Sequence, residues 1–122
     1  MIALILIVCV VYLFHLILPG FLARSEPAAL GTRAVRATHN LRESLPVFFV
    51  LAIVSDYKNL ETNLVWAQVW LVLRVAFLVV YVTGMNLKPV DEFGYQAQPV
   101  RSLLWVLSIL CLIGMAVNIA VS

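Results

Sequence analysis

Arg33, Arg36, His39, Asn40 and Glu43 fall in one short run, RAVRATHNLRESLP at residues 33–46. Their types suit the binding of a charged small molecule. Arginines take carboxylates or phosphates through paired, fork-shaped hydrogen bonds. A carboxylate such as Glu43 takes an amine or a second arginine, and Asn40 adds neutral hydrogen bonds. At ~100° per residue the five side chains share an arc of roughly 120° on one helix. Arg42 is offset from Glu43 by ~100°, a direction that suits a neighbouring subunit or snorkelling. A second set, Trp70, Arg74, Phe77 and Tyr81, repeats at i, i+4, i+7 and i+11. Together these residues describe a wall for a small zwitterion with extra carboxylates rather than for a bare anion. Cys9 and Cys111 sit in apolar runs and read as small hydrophobes, and no spacing suits a metal or a disulfide framework.

The surroundings of this wall are apolar. The 122 residues are 64% hydrophobic and 11% charged, with a mean hydropathy of +1.06. A soluble domain of this size cannot bury so much apolar surface, so lipid must solvate most of it. A formal net charge of +2 without a Lys/Arg run argues against nucleic acid as a partner. The chain reads as one domain of four transmembrane helices, about residues 1–23, 32–54, 63–84 and 100–122. Each is long enough to cross a ~30 Å hydrocarbon layer at ~1.5 Å per residue. Length and the absence of alternation favour helices over strands, giving an all-α membrane bundle.

Short connections join the spans: RSEPAALG, SDYKNLET and MNLKPVDEFGYQAQP. Arg24, Arg33, Arg36, Lys88 and Arg101 cluster on the side of the first and third connections, whereas the other side has only Lys58. The positive-inside rule then puts the first and third connections in the cytoplasm and both chain termini outside.

Depth sharpens the question of function. Glu43 lies ~16 Å along its helix from the cytoplasmic surface, and Arg74 lies ~15 Å from its own cytoplasmic end. A charge near the bilayer centre costs at least ~2.5 kcal/mol, so the polar stripe should face other helices or a water-filled cavity. Arg74 and Glu43 at equal depth suggest either a buried structural ion pair or two walls of a site. Pro46 removes one amide donor and frees the carbonyl of Arg42, which marks either a simple kink or a further polar group facing the site.

The motif RATHNLRESLP, followed by VFFVLAIV, resembles the second-helix signature of the MAPEG family, the membrane-associated proteins in eicosanoid and glutathione metabolism. Arg36, Asn40, Glu43 and Pro46 occupy the signature positions. LRVAFLVVYV resembles the family's third helix, with Arg74 and Tyr81 in matching places, and PVRSLLW resembles the start of its fourth, with Arg101 and Ser102. The likeness runs through nearly the whole chain in order. His39 stands where several relatives carry Arg, and the third connection is longer than in the familiar members.

The resemblance implies a homotrimer with glutathione, or a related thiol, bound between subunits near the cytoplasmic face. It implies that Arg33, Arg36, His39, Asn40, Glu43, Arg74 and Tyr81 bind this co-substrate. Arg101 would stabilise the thiolate, with Ser102 as a second donor and Lys88 as the rival for the cation's role. The other substrate would be a lipophilic electrophile reaching the site from the bilayer. A different class of function stands beside this one: a non-catalytic membrane subunit whose polar stripe holds the oligomer together. A channel fits poorly, because the outer halves of the helices lack polarity.

Overall fold

The computed structural model describes residues 1–22, 29–84 and 98–122. They form four helices: α1 (Ile2–Leu22), α2 (Ala29–Tyr57), α3 (Glu61–Thr83) and α4 (Pro99–Val121). No strand occurs among the described residues. The all-α membrane bundle expected from hydropathy is the fold observed. Arg24 and Lys88 lie outside the described residues.

Three helices, α1, α3 and α4, are long and apolar enough to cross a membrane. The exception is α2, which carries the polar run. At 29 residues it also extends past the apolar segment at both ends. Helical hydrogen bonding needs no apolar side chains, so hydropathy understates its length. It continues through Pro46, whose ring is exposed on the outer side.

α2 and α3 are the centre of the subunit. The inner face of α2 presents Ala34, Ala37, Leu41, Leu45, Phe48 and Ala52 at helical spacing, all buried. The alanines let the backbones approach closely, as small residues do between membrane helices. Phe48 stacks on Trp70 of α3, with ring centroids 4.1 Å apart and planes 10° apart. α4 packs tightly along α3. A Cβ added at Gly114 would lie 3.0 Å from the Trp66 ring, so a larger residue there has to push that ring aside. α1 and α4 do not pack against each other. α1 leans mainly on α2 and buries only Leu4, Val8 and His15, leaving Leu6, Ile17 and Phe21 exposed.

The α1–α2 contact includes a repair. Pro19 lacks an amide hydrogen and so cannot bond the carbonyl of His15, four residues earlier. The Thr38 hydroxyl of α2 lies 2.9 Å from that carbonyl and donates to it, sharing its hydrogen with Ala34 O. Such a group left unsatisfied inside a bilayer is costly. Thr38→Val is therefore expected to destabilise the protein by about 0.6–1.7 kcal/mol, the range for a hydrogen bond between membrane helices. Pro19→Ala restores the helical donor, so in its background the same change should cost less. Unfolding in mixed detergent micelles, run as a double-mutant cycle, measures this. Additive losses would refute the repair.

A second polar network closes the opposite end, where the sequence shows no candidate chemistry. Asn63 is fully buried and donates to Ser55 Oγ (2.8 Å) and Met115 O (3.2 Å), while Asn118 donates to Asn63 Oδ1 (2.8 Å). It ties α2, α3 and α4 together and leaves the other end to carry the site.

Candidate functional site

The last turn of α3 is where three helix ends meet. Gly84 ends α3 in the left-handed conformation at φ 71° and donates to Val80 O, a helix stop that glycine adopts without strain. Arg33, at the start of α2, donates from Nε to Val82 O at 3.0 Å, and its guanidinium lies against Gly84. A cation at a helix C-terminus meets the negative end of the helix dipole. Arg33, which the sequence suggested as a ligand-binding residue, also caps α3. Gln98, the residue before α4, is buried and donates from Nε2 to Val80 O at 2.7 Å. It seats the start of α4, and with it Arg101 and Ser102, on the end of α3. Sequence reading missed Gln98. Its only signal is its place just before Pro99, at the entry to a helix.

These anchors form a cleft of about 390 Å³ lined by Asn40, Phe77, Tyr81, Arg101, Ser102, Trp105 and Val106. Four residues expected from sequence to share a site, from three different helices, thus meet at one cleft. Arg101 lies over the Tyr81 ring, its Cζ 4.7 Å from the centroid. Tyr81 in turn meets Phe77 edge-on, with centroids 5.5 Å apart at 70°. Trp105 and Val106 follow Arg101 at i+4 and i+5 and supply apolar wall.

Behind the cleft lies Arg74, only 2% exposed. Its Nη2 donates to Asn40 Oδ1 at 2.8 Å and its Cζ stands 4.5 Å from the Phe77 centroid. Nε and Nη1 are buried and make no hydrogen bond among the described residues. Of the two readings of Arg74 and Glu43 at equal depth, the ion pair is not formed within this chain. The two residues match in depth but not in direction. Arg74 points into the subunit, and Asn40, nearly one turn before Glu43, reaches it first.

Glu43 is exposed and lies with Asn40 along a second, mostly apolar groove of about 430 Å³ between α2 and α4. Val47, Leu51, Trp105, Ile109 and Leu112 line it as well. Asn40 and Trp105 border both spaces, so a polar cleft at the bundle end runs on into an apolar groove. Arg36, His39 and Arg42 are exposed on α2 and line neither space. The stripe expected to face other helices or a water-filled cavity therefore divides: Asn40 turns inward, Glu43 borders the groove between α2 and α4, and Arg36 and His39 are exposed. No group of three or more His, Cys, Asp or Glu among the described residues is arranged to hold a metal.

Fold and site together define an integral membrane four-helix protein with a cationic, hydrogen-bonding cleft at one end of the bundle. The chain belongs to the MAPEG family, whose model matches residues 1–121. No curated protein and no solved structure matches it.

Proposed function

We propose that this protein is a glutathione-dependent membrane enzyme of transferase or peroxidase type, acting on a lipophilic electrophile. The observation that carries the reading is the junction at Asn40 and Trp105 between the polar cleft and the apolar groove. A water-soluble thiol suits the first and a lipid-soluble partner the second. In this reading Arg101 stabilises the thiolate and Ser102 is a second donor. Asn40 and Tyr81 hydrogen-bond the thiol compound, Arg36 and His39 take its carboxylates and Glu43 its amine. Arg74 holds Asn40 in place. Titration calorimetry of glutathione into the purified protein in detergent tests the reading. Absence of heat at millimolar thiol would remove it.

The working form in this proposal is a homotrimer. Arg36, His39 and Glu43 are exposed on the single subunit, and a charge deep in a bilayer costs at least ~2.5 kcal/mol unless another helix or water receives it. A second copy against α2 supplies that cover and completes the thiol site. The same exposure favours a second reading, a non-catalytic subunit whose polar stripe serves assembly. The two separate on Arg36→Ala and Glu43→Gln: intact trimers with lost glutathione binding support the enzyme, and dissociated trimers support the assembly role.

The membrane orientation completes the proposal. Both termini face away from the cytoplasm, because Arg24, Arg33, Arg36, Lys88 and Arg101 all flank the connections at the site end. In intact cells an impermeant thiol reagent should label Tyr57→Cys and leave Tyr95→Cys unlabelled. Labelling of Tyr95→Cys from outside would place the cleft on the wrong side for cytoplasmic glutathione.

A further inference from the structure

We infer that Phe77 is the positioning residue of this site: clasped between the Arg74 guanidinium and the Tyr81 ring, it fixes the ring on which Arg101 rests and so sets where the Arg101 charge meets a bound thiolate. The inference rests on the thiol-binding reading above and adds a residue that this reading does not use.

The geometry forms a ladder. Asn40 holds Arg74 at 2.8 Å, Arg74 stands 4.5 Å over Phe77, Phe77 meets Tyr81 at 5.5 Å and 70°, and Arg101 stands 4.7 Å over Tyr81. The inner rungs are rigid. Arg74 and Phe77 are each 2% exposed, and close-packed side chains hold one rotamer. The outer rungs, Tyr81 and Arg101, are half-buried. Order therefore passes outward from Phe77. Arg74, Phe77 and Tyr81 stand at i, i+3 and i+7, which puts them on one face of α3. An aromatic ring carries negative charge on its faces and positive charge on its edge. A ring at 77 thus both attracts the Arg74 cation and prefers the perpendicular seat it gives Tyr81. Leucine fills much of the same space and does neither.

The experiment compares two ligands on the full-length protein in detergent. Glutathione reports the thiolate, through its ultraviolet absorbance as pH is raised. S-Methylglutathione has no ionisable thiol and reports the intactness of the rest of the site. Phe77→Leu should bind S-methylglutathione as wild type does, yet ionise bound glutathione only at higher pH. Turnover of an activated aryl halide at neutral pH should fall by about threefold to thirtyfold, the scale of one cation–ring contact. Leu45→Ala loosens the other core cluster, which holds no member of the ladder, and should leave the titration where it was. Superimposable titrations of wild type and Phe77→Leu would overturn the inference. Equal weakening toward both ligands would too, since that marks Phe77 as mere wall, as would an equal shift in Leu45→Ala. If Phe77→Leu does not fold, pentafluorophenylalanine at position 77 keeps the shape and reverses the ring's charge pattern, and the same shift is expected. Wild-type protein that binds neither ligand would defeat the thiol-binding reading itself, a result distinct from all of these.

Discussion

Arg101→Ala should raise the pKa of glutathione bound to this protein toward the free-thiol value of about 8.5 and slow its turnover. The loss should be about 10- to 1000-fold, the scale of removing one charge-stabilising donor. Arg101 stands at the first turn of α4, half-buried, with its guanidinium laid on the Tyr81 ring. A cation at a water boundary has an ordinary explanation as a positive-inside anchor, and the conservative variant separates the two roles. An anchor needs only charge, so Arg101→Lys would be silent. A thiolate partner stacked on a ring needs the planar, weakly hydrated guanidinium, which a compact ammonium does not reproduce. Arg101→Lys is therefore expected to remain well below wild type. Thiolate absorbance against pH measures this without knowledge of the second substrate. Unchanged curves in Arg101→Ala would transfer the role to another cation, with Arg74 and Lys88 the next to test.

The second large effect falls on stability. Asn40→Leu should destabilise the protein by about 1.5–3 kcal/mol, the contribution of a hydrogen bond to a charged group. Asn40 Oδ1 accepts from Arg74 Nη2, and Arg74 is buried with its other nitrogens making no hydrogen bond among the described residues. Loss of the amide leaves an enclosed cation without that acceptor. A buried polar pair replaced on both sides by apolar groups of similar shape behaves differently, and the exchange is often neutral or stabilising. Asn40→Leu with Arg74→Met should therefore recover most of what Asn40→Leu alone loses. Glutathione binding should stay lost in both, because Asn40 lines the cleft. Unfolding in mixed detergent gives the stability and calorimetry the binding. A double variant no more stable than the single one would show that Asn40 supports the fold by another route.

The predictions act on different parts of the molecule. Thr38 and Pro19 concern the seam between α1 and α2 and line neither the cleft nor the groove, whereas Asn40 and Arg101 line the cleft. Thr38→Val should therefore lower stability with little change in thiol affinity. A loss of binding of the size expected from Asn40→Leu would mean that the α1–α2 seam is part of the site.

Sequence by itself determined the solvent, the helix count and the list of polar residues. Apolar runs of about 20 residues have one stable form in a bilayer, a helix with its backbone bonds closed internally, so hydropathy leads directly to α1, α3 and α4, while α2 is read from its apolar second half together with its polar stripe. The spacing of Arg36, Asn40, Glu43, Arg74, Tyr81 and Arg101 was likewise legible, because charged and amide groups stand out against a lipid-facing background. Direction was not. Glu43 and Arg74 lie at matching depth, yet only the packing of α2 on α3 decides that Asn40 meets Arg74 while Glu43 looks outward. Arg33 shows the same limit: the sequence supplies an arginine at the head of a polar run, and only the fold brings its Nε to Val82 O at the end of α3. Gln98 was hidden for a different reason. A glutamine at a loop end carries no signal until a second helix supplies the carbonyl it meets. Phe77 was legible as a member of the α3 stripe, whereas its seat between Arg74 and Tyr81 was not. Helical periodicity states which residues share a face. The crossing and rotation of neighbouring helices, set by small residues such as Ala34, Ala37 and Gly114 that let backbones approach, state what that face touches.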